Sequence, residues 1–116
     1  MDIQAIIFGA DAVKERSEKG DNFSRTSFYL EKRGYKIAAV ENETKPKSRS
    51  HSDILLGTAK TLGLDASKCA VVENNISGID AAKSSGMTAI GIGEARNYIF
   101  SDICIGHLSE LLDIFA

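Results

Sequence analysis

Apolar residues in this chain fall in short runs separated by polar stretches, and the spacing within each run separates strand from helix. Ile3-Gln4-Ala5-Ile6-Ile7-Phe8 is β-branched and nearly continuous, as suits a strand covered on both faces, and it is read as the central strand of a sheet. Between Gly9 and Asn22 the composition turns polar, through Lys14, Glu15, Arg16, Ser17, Glu18, Lys19, Gly20 and Asp21, which predicts an exposed loop. A helix is expected over 23–33, ended by Gly34 in a left-handed conformation. A second strand is expected over 35–40, and 41–50, rich in Lys, Ser, Asn and Glu, reads as loop.

From Ser52, a natural N-cap, the positions Ile54, Leu55, Thr58, Ala59 and Leu62 recur at helical spacing until Gly63. Residues 68–72 read as a third strand, and Ile76, Ile79 and Ala82 ahead of Gly86 mark the next helix. Strands over 87–92 and 101–105 follow, and Leu108, Leu111, Leu112 and Phe115 describe the inward face of a final helix. Such alternation predicts an α/β fold, a three-layer Rossmann-like doubly wound parallel sheet of about five strands, with 1–116 forming a single domain. Ligands are then expected at the carboxyl ends of the strands, where strand order reverses.

A chain of 116 residues with 43% hydrophobic content can bury one core without disulfide or metal staples. The net charge of −2 mixes both signs along the chain, which leaves no basic stripe for a nucleic acid and no basic amphipathic segment for a membrane surface. Cys69 and Cys104 each sit in a short apolar run, which predicts buried reduced thiols and a cytoplasmic setting. The first apolar run stops at Gly9, too short for a signal peptide or a span.

Four segments then stand in a recognisable order: Ser48-Arg49-Ser50-His51-Ser52-Asp53-Ile54-Leu55, Leu62-Gly63-Leu64-Asp65, Val71-Val72-Glu73-Asn74, and Gly78-Ile79-Asp80-Ala81-Ala82-Lys83-Ser84-Ser85-Gly86-Met87. Their succession resembles the haloacid dehalogenase superfamily, and within it the β-phosphoglucomutase-like phosphatases and phosphomutases, whose members read K-P-x-P-D-I-F, L-G-V-D, V-x-E-D and G-I-x-A-A-x-x-A-G-M at similar spacings. The resemblance implies attack of an aspartate on a phosphate ester, a second aspartate two residues on as general acid/base, and a magnesium ion holding the phosphate.

The first strand of such enzymes ends in D-x-D-G-V, where this chain has Gly9-Ala10-Asp11-Ala12-Val13. The resemblance thus places the acid/base at Asp11 and puts Gly9 where the nucleophile belongs, and covalent catalysis cannot begin without a nucleophile. The Ser or Thr phosphate donor maps to Glu41, whose carboxylate would repel a phosphate dianion. The phosphate-neutralising lysine maps to Arg49, which keeps the charge in a larger fork. Both prolines of that motif are serines, Ser50 and Ser52, which implies a less rigid loop. The Glu-Asp pair of the metal site becomes Glu73-Asn74, leaving Glu73, Asn74 and Asp11 as a degenerate Mg²⁺ set short of anionic oxygen. Relatives also carry a helical cap after the first strand, for which only 14–22 stands here, so no cap domain is expected.

Taken residue by residue, Asp11 reads first as a turn residue and Arg49 as a salt-bridge partner of Glu73 or Asp11. His51 reads as a surface polar residue without a second histidine nearby, and His107 has no evident partner. Phe23, Phe28, Tyr29 and Tyr35 read as core or interface. The expectation is a catalytically inactive binding or scaffold domain without a resident cofactor. It self-associates through the edge strand 35–40 or meets an unidentified protein partner. The competing expectation is an altered Mg²⁺-dependent phosphatase or phosphomutase working through Asp11.

Overall fold

The computed structural model describes residues 2–14, 23–40 and 50–116. Its strands are β1 (Ala5–Phe8), β2 (Lys36–Ala39), β3 (Cys69–Glu73), β4 (Thr88–Gly91) and β5 (Ile103–Cys104). All pair in parallel, in the order β2-β1-β3-β4-β5. The helices are α1 (Phe23–Lys32), α2 (His51–Thr61), α3 (Ile76–Ser84) and a short α4 (Leu111–Ile114), the last entered through a 3-10 turn at Leu108–Glu110. Among the described residues no helix is long and apolar enough to cross a membrane.

The pleat divides each strand between two cores. Ile6, Phe8, Ala70, Val72 and Ile90 face Leu30 of α1 together with Leu108, Leu111 and Phe115, while Ala5, Ile7, Val71 and Ala89 face Leu55 and Ala59 of α2 and Ile79 and Ala82 of α3. Side chains alternate across a strand, so a run buried on both faces must be apolar at successive positions, as β1 is. The result is the expected three-layer α/β sheet of five parallel strands.

Several sequence expectations need correction. β3, not β1, holds the centre of the sheet, and β1 lies between it and β2. A continuous apolar run reports cover on both faces, which both strands have, and cannot report rank in the sheet. The N-cap of α2 is Ser50 rather than Ser52: its side chain accepts the Asp53 N–H at 3.1 Å while Asp53 Oδ2 accepts the Ser50 N–H at 3.4 Å. That reciprocal pair starts the helix two residues early. Cys69 is buried but Cys104 is exposed, because β5 is the outermost strand; burial pushes the Cys69 thiol pKa up. Ile76 is exposed in the first turn of α3, whose inward face is Gly78, Ile79, Ala81 and Ala82. His107 does have a partner, with Nδ1 2.6 Å from Ser109 Oγ.

The edge position expected for 35–40 holds, since among the described residues β2 pairs only with β1. Gly34 follows α1 with a φ of 98°, a left-handed conformation that costs glycine little and turns the chain directly into β2. Of the aromatic residues, Phe23 packs edge-on against Phe8 at 4.8 Å and Tyr35 against Phe115 at 5.5 Å, whereas Phe28 and Tyr29 are exposed.

Two polar clamps tie distant parts of the chain together. Arg33 Nη1 donates to the carbonyls of Leu112 at 2.6 Å and Phe115 at 2.8 Å, satisfying acceptors at the end of α4. Asp102 accepts both bonds from Lys83 Nζ, at 3.0 and 2.9 Å, and the Ala89 N–H at 2.8 Å. Burial acts to raise the Asp102 pKa, but the Ala89 N–H and the Lys83 ammonium outweigh it and hold the carboxyl below its ordinary value.

Arg33→Ala is expected to lower the unfolding free energy by about 1–2 kcal/mol, the scale of charge-assisted hydrogen bonds, read as a lower urea midpoint at unchanged slope. A carboxyl depressed in the folded state stabilises above its unfolded pKa and loses that contribution as pH falls through the folded value. Asp102→Asn should therefore lower the melting temperature at pH 7 and shrink the decline seen below about pH 4. Equal acid sensitivity in the two proteins would refute the assignment.

Candidate functional site

The switch point of the sheet lies between β1 and β3, from which the chain runs outward to β2 on one side and to β4 and β5 on the other. The register sets Phe8 against both Ala39 and Val72, so residues following the three strands emerge level with one another. The Gly9 N–H donates to Val72 O at 2.9 Å, and Val40 N–H to Phe8 O at 2.9 Å. A pocket at this place is lined by Ala10, Asp11, Val40, His51, Ile54, Glu73 and Asn75. Its volume is about 30 Å³, room for roughly one water.

Glu73 dominates the site. It is 2% exposed, and its side chain folds back between two glycines. A Cβ built on Gly9 would overlap the Glu73 carboxylate, with Oε2 at 2.9 Å, and one built on Gly78 would meet the same group, with Oε2 at 2.5 Å and Cγ at 2.8 Å. Contacts so short are not tolerated by real side chains, so Gly9 and Gly78 together create the slot that holds Glu73. Oε2 stands 2.9 Å from His51 Nε2, an ion pair when the imidazole is protonated. The alignment falls short of a hydrogen bond, and Oε2 remains buried without one. Distance gives Coulomb attraction here; geometry withholds the full satisfaction a buried carboxylate needs.

The loops around this slot are bound to each other. Asn74 Nδ2 donates to Asp11 O at 3.3 Å, and Asn75 Nδ2 donates to Asn74 Oδ1 at 3.2 Å. Asn75 caps α3, its Oδ1 accepting the Gly78 N–H at 2.7 Å and the Ser77 hydroxyl at 2.8 Å. That cap holds Gly78 over the Glu73 carboxylate. Asn74 thus spends its amide on joining β1 and β3 ends.

The structure brings Gly9, Asp11, Glu73 and Asn74 to one place, as the sequence implied. Glu41 and Arg49 lie outside the described residues. His51 is not the surface residue expected of it: its side chain is 27% exposed and faces Glu73. The signal for this was available in Ser50-His51-Ser52-Asp53, since a capping pair of Ser50 and Asp53 puts His51 in the first turn of α2, beside the strand ends. Asn75 and Gly78 were also missed as site residues; nothing local in the sequence ties Gly78 to a carboxylate five residues earlier.

A magnesium ion fits these donors poorly. Mg²⁺ takes carboxylate oxygen in an octahedral shell with several waters. Glu73 is turned into its slot, Asn74 is committed to the Asp11 carbonyl, and no group of three or more His, Cys, Asp or Glu among the described residues is placed to hold a metal.

No family model matches the chain. Curated proteins do. The chain is 34% identical over 74 residues to a β-phosphoglucomutase of Bacillus subtilis, 43% identical over 58 residues to a CBBY-like protein of Arabidopsis thaliana, and 30% identical over 79 residues to hexitol phosphatase B of Escherichia coli. These alignments cover 64%, 50% and 64% of this chain but 33%, 18% and 36% of the relatives, so the chain spans between about a fifth and a third of the length of the curated relatives it matches. Among solved structures, a β-phosphoglucomutase from Clostridium difficile superposes with a TM-score of 0.64 at 16% identity, over 88% of this chain and 57% of that one. A 3-deoxy-D-manno-octulosonate 8-phosphate phosphatase from Moraxella catarrhalis, seen with magnesium, phosphate and its sugar, gives 0.69 at 15% identity, over 98% and 86%. The sequence matches and the shared five-stranded parallel fold agree with the motif order read from the chain, which belongs to the haloacid dehalogenase superfamily.

Proposed function

We propose that this chain is a catalytically inactive member of its superfamily, a pseudo-phosphatase serving as a cytoplasmic binding or scaffold domain. The observation that carries the reading is the Glu73 carboxylate lying where a Cβ at position 9 would stand. An aspartate nucleophile projects its oxygens outward from that Cβ, toward the substrate. Glu73 offers its carboxylate at the Cβ position itself instead of beyond it, 2% exposed and walled in by Gly9 and Gly78. It therefore closes the place of the nucleophile without replacing its function. The pocket in front of it encloses about 30 Å³.

The degenerate donors Glu73, Asn74 and Asp11 support a protein without resident Mg²⁺, as argued above. Among the described residues the outer edge of β2 is unpaired, which supports a binding role toward a protein partner. The alternative, a Mg²⁺-dependent phosphatase or phosphomutase like the named relatives, rests on Asp11, which stays exposed at the pocket mouth. Asp11 stands two residues beyond the position where the resemblance puts the nucleophile.

The chain is expected to release no phosphate from aryl or sugar phosphates with Mg²⁺ present, and Gly9→Asp is expected to release none either. Magnesium-dependent turnover that vanishes in Asp11→Asn would overturn the reading. The steric basis can be tested separately. Gly9→Ala should cost ~1–3 kcal/mol through overpacking against Glu73, and Glu73→Ala in the same chain should recover most of that loss. Additive effects in the double-mutant cycle would show that the two residues do not share the slot.

A further inference from the structure

Helix α1 carries two unlike faces. Thr26, Ser27 and Leu30 are buried toward the sheet, whereas Arg25, Phe28, Tyr29 and Lys32 fall at i, i+3, i+4 and i+7 on the opposite side. Phe28 is 52% exposed and Tyr29 43%, and the two rings meet edge to face at 5.3 Å. A cation sits over each ring: Arg25 at 6.0 Å from the Tyr29 centroid and Lys32 at 5.2 Å from that of Phe28. The stripe is an aromatic centre with positive charge at both ends.

At the other edge of the sheet, the turn leading into β5 displays Ile99, 83% exposed, and Phe100, 60% exposed. This tip is held in shape from below. The Tyr98 ring packs edge-on against Phe100 at 5.5 Å, the Tyr98 hydroxyl donates to Asp80 Oδ1 at 2.6 Å, and Ser101 Oγ donates to Ala95 O at 3.1 Å. Asp80, which accepts the Tyr98 hydroxyl, puts negative charge beside it. The nearby cations are turned elsewhere, with Lys83 paired to Asp102 and the Arg96 guanidinium lying over Gly106.

Two copies of the α1 stripe do not suit each other, because antiparallel packing about a two-fold axis sets Arg25 of one against Lys32 of the other. The tip does suit it: a protruding aliphatic–aromatic pair flanked by acid meets an aromatic surface flanked by base. We propose that the α1 stripe of one molecule receives the Ile99–Phe100 tip of a second copy, head to tail. The two surfaces lie by opposite edges of the sheet, β2 and β5, so each molecule keeps one surface open after the first contact. Association then continues into a ring or a chain instead of stopping at a dimer.

Sedimentation equilibrium of the 116-residue chain, carried to millimolar concentration, tests this. Two variants are made at exposed positions, a stripe variant (Tyr29→Ala with Lys32→Glu) and a tip variant (Ile99→Ser with Phe100→Ser), and thermal melts establish that each is folded. The wild type should grow in mass with concentration, and raising salt from low to high ionic strength should weaken its association roughly threefold or more. Each variant alone should be monomeric, and an equimolar mixture should form a 1:1 complex that grows no further, since one good stripe and one good tip remain. A monomeric wild type overturns the proposal, as does a mixture that fails to pair. Variants that still associate like the wild type also overturn it, and would point instead to pairing through the β2 edge, which neither variant touches.

Discussion

A carboxylate buried in a protein interior must be held by something, and the arrangement around Glu73 follows from that requirement. Glu73 ends the central strand, buried on every side, where an ionised group pays heavily for lost hydration. Its room comes from two absent side chains, at Gly9 and Gly78, and His51 on α2 brings its Nε2 to 2.9 Å from Oε2. Each contributor belongs to a different element: the end of β1, the first turn of α3 and the first turn of α2. The three are held in place by the sheet register and by the Ser50 and Asn75 caps. The slot is thus a property of the assembled sheet and helices together.

This arrangement also joins the chemistry to the fold. In a doubly wound sheet the crevice at the switch point is where ligands bind, because helix starts and strand ends converge there. Here the crevice is filled by the chain's own acid. That convergence packs Glu73 against Gly9 and Gly78. Around it, Asn74 and Asn75 use their amides to link loops to one another. Far from the crevice, Phe28 and Tyr29 on the outer face of α1 and the Ile99–Phe100 tip are exposed.

Periodicity disclosed the elements because it is a local consequence of which faces are covered. Residues 5–8 had to be apolar at successive positions to fit between two helical layers, and Leu55 and Ala59 had to recur at helical spacing to reach the sheet. The same logic cannot rank strands within a sheet, and β3 rather than β1 proved central. Nor can it tell an outer strand from an inner one when the strand is two residues long, which is why Cys104 is exposed. The Ser50 cap was readable from its spacing to Asp53 but competed with an equally good serine two residues later.

For the site, the sequence by itself determined the inventory: Gly9 where a carboxylate was due, Asp11 two residues on, Glu73 and Asn74 at the end of another strand. Only the tertiary structure decided that Gly9 and Glu73 are one feature. They are 64 positions apart in the chain and meet because β1 and β3 are paired neighbours. Likewise His51 acquires its role by reaching across from α2, and Gly78 by passing over the carboxylate at the start of α3. A missing side chain is visible in sequence as a letter, but the volume it vacates has no meaning until packing shows what fills it.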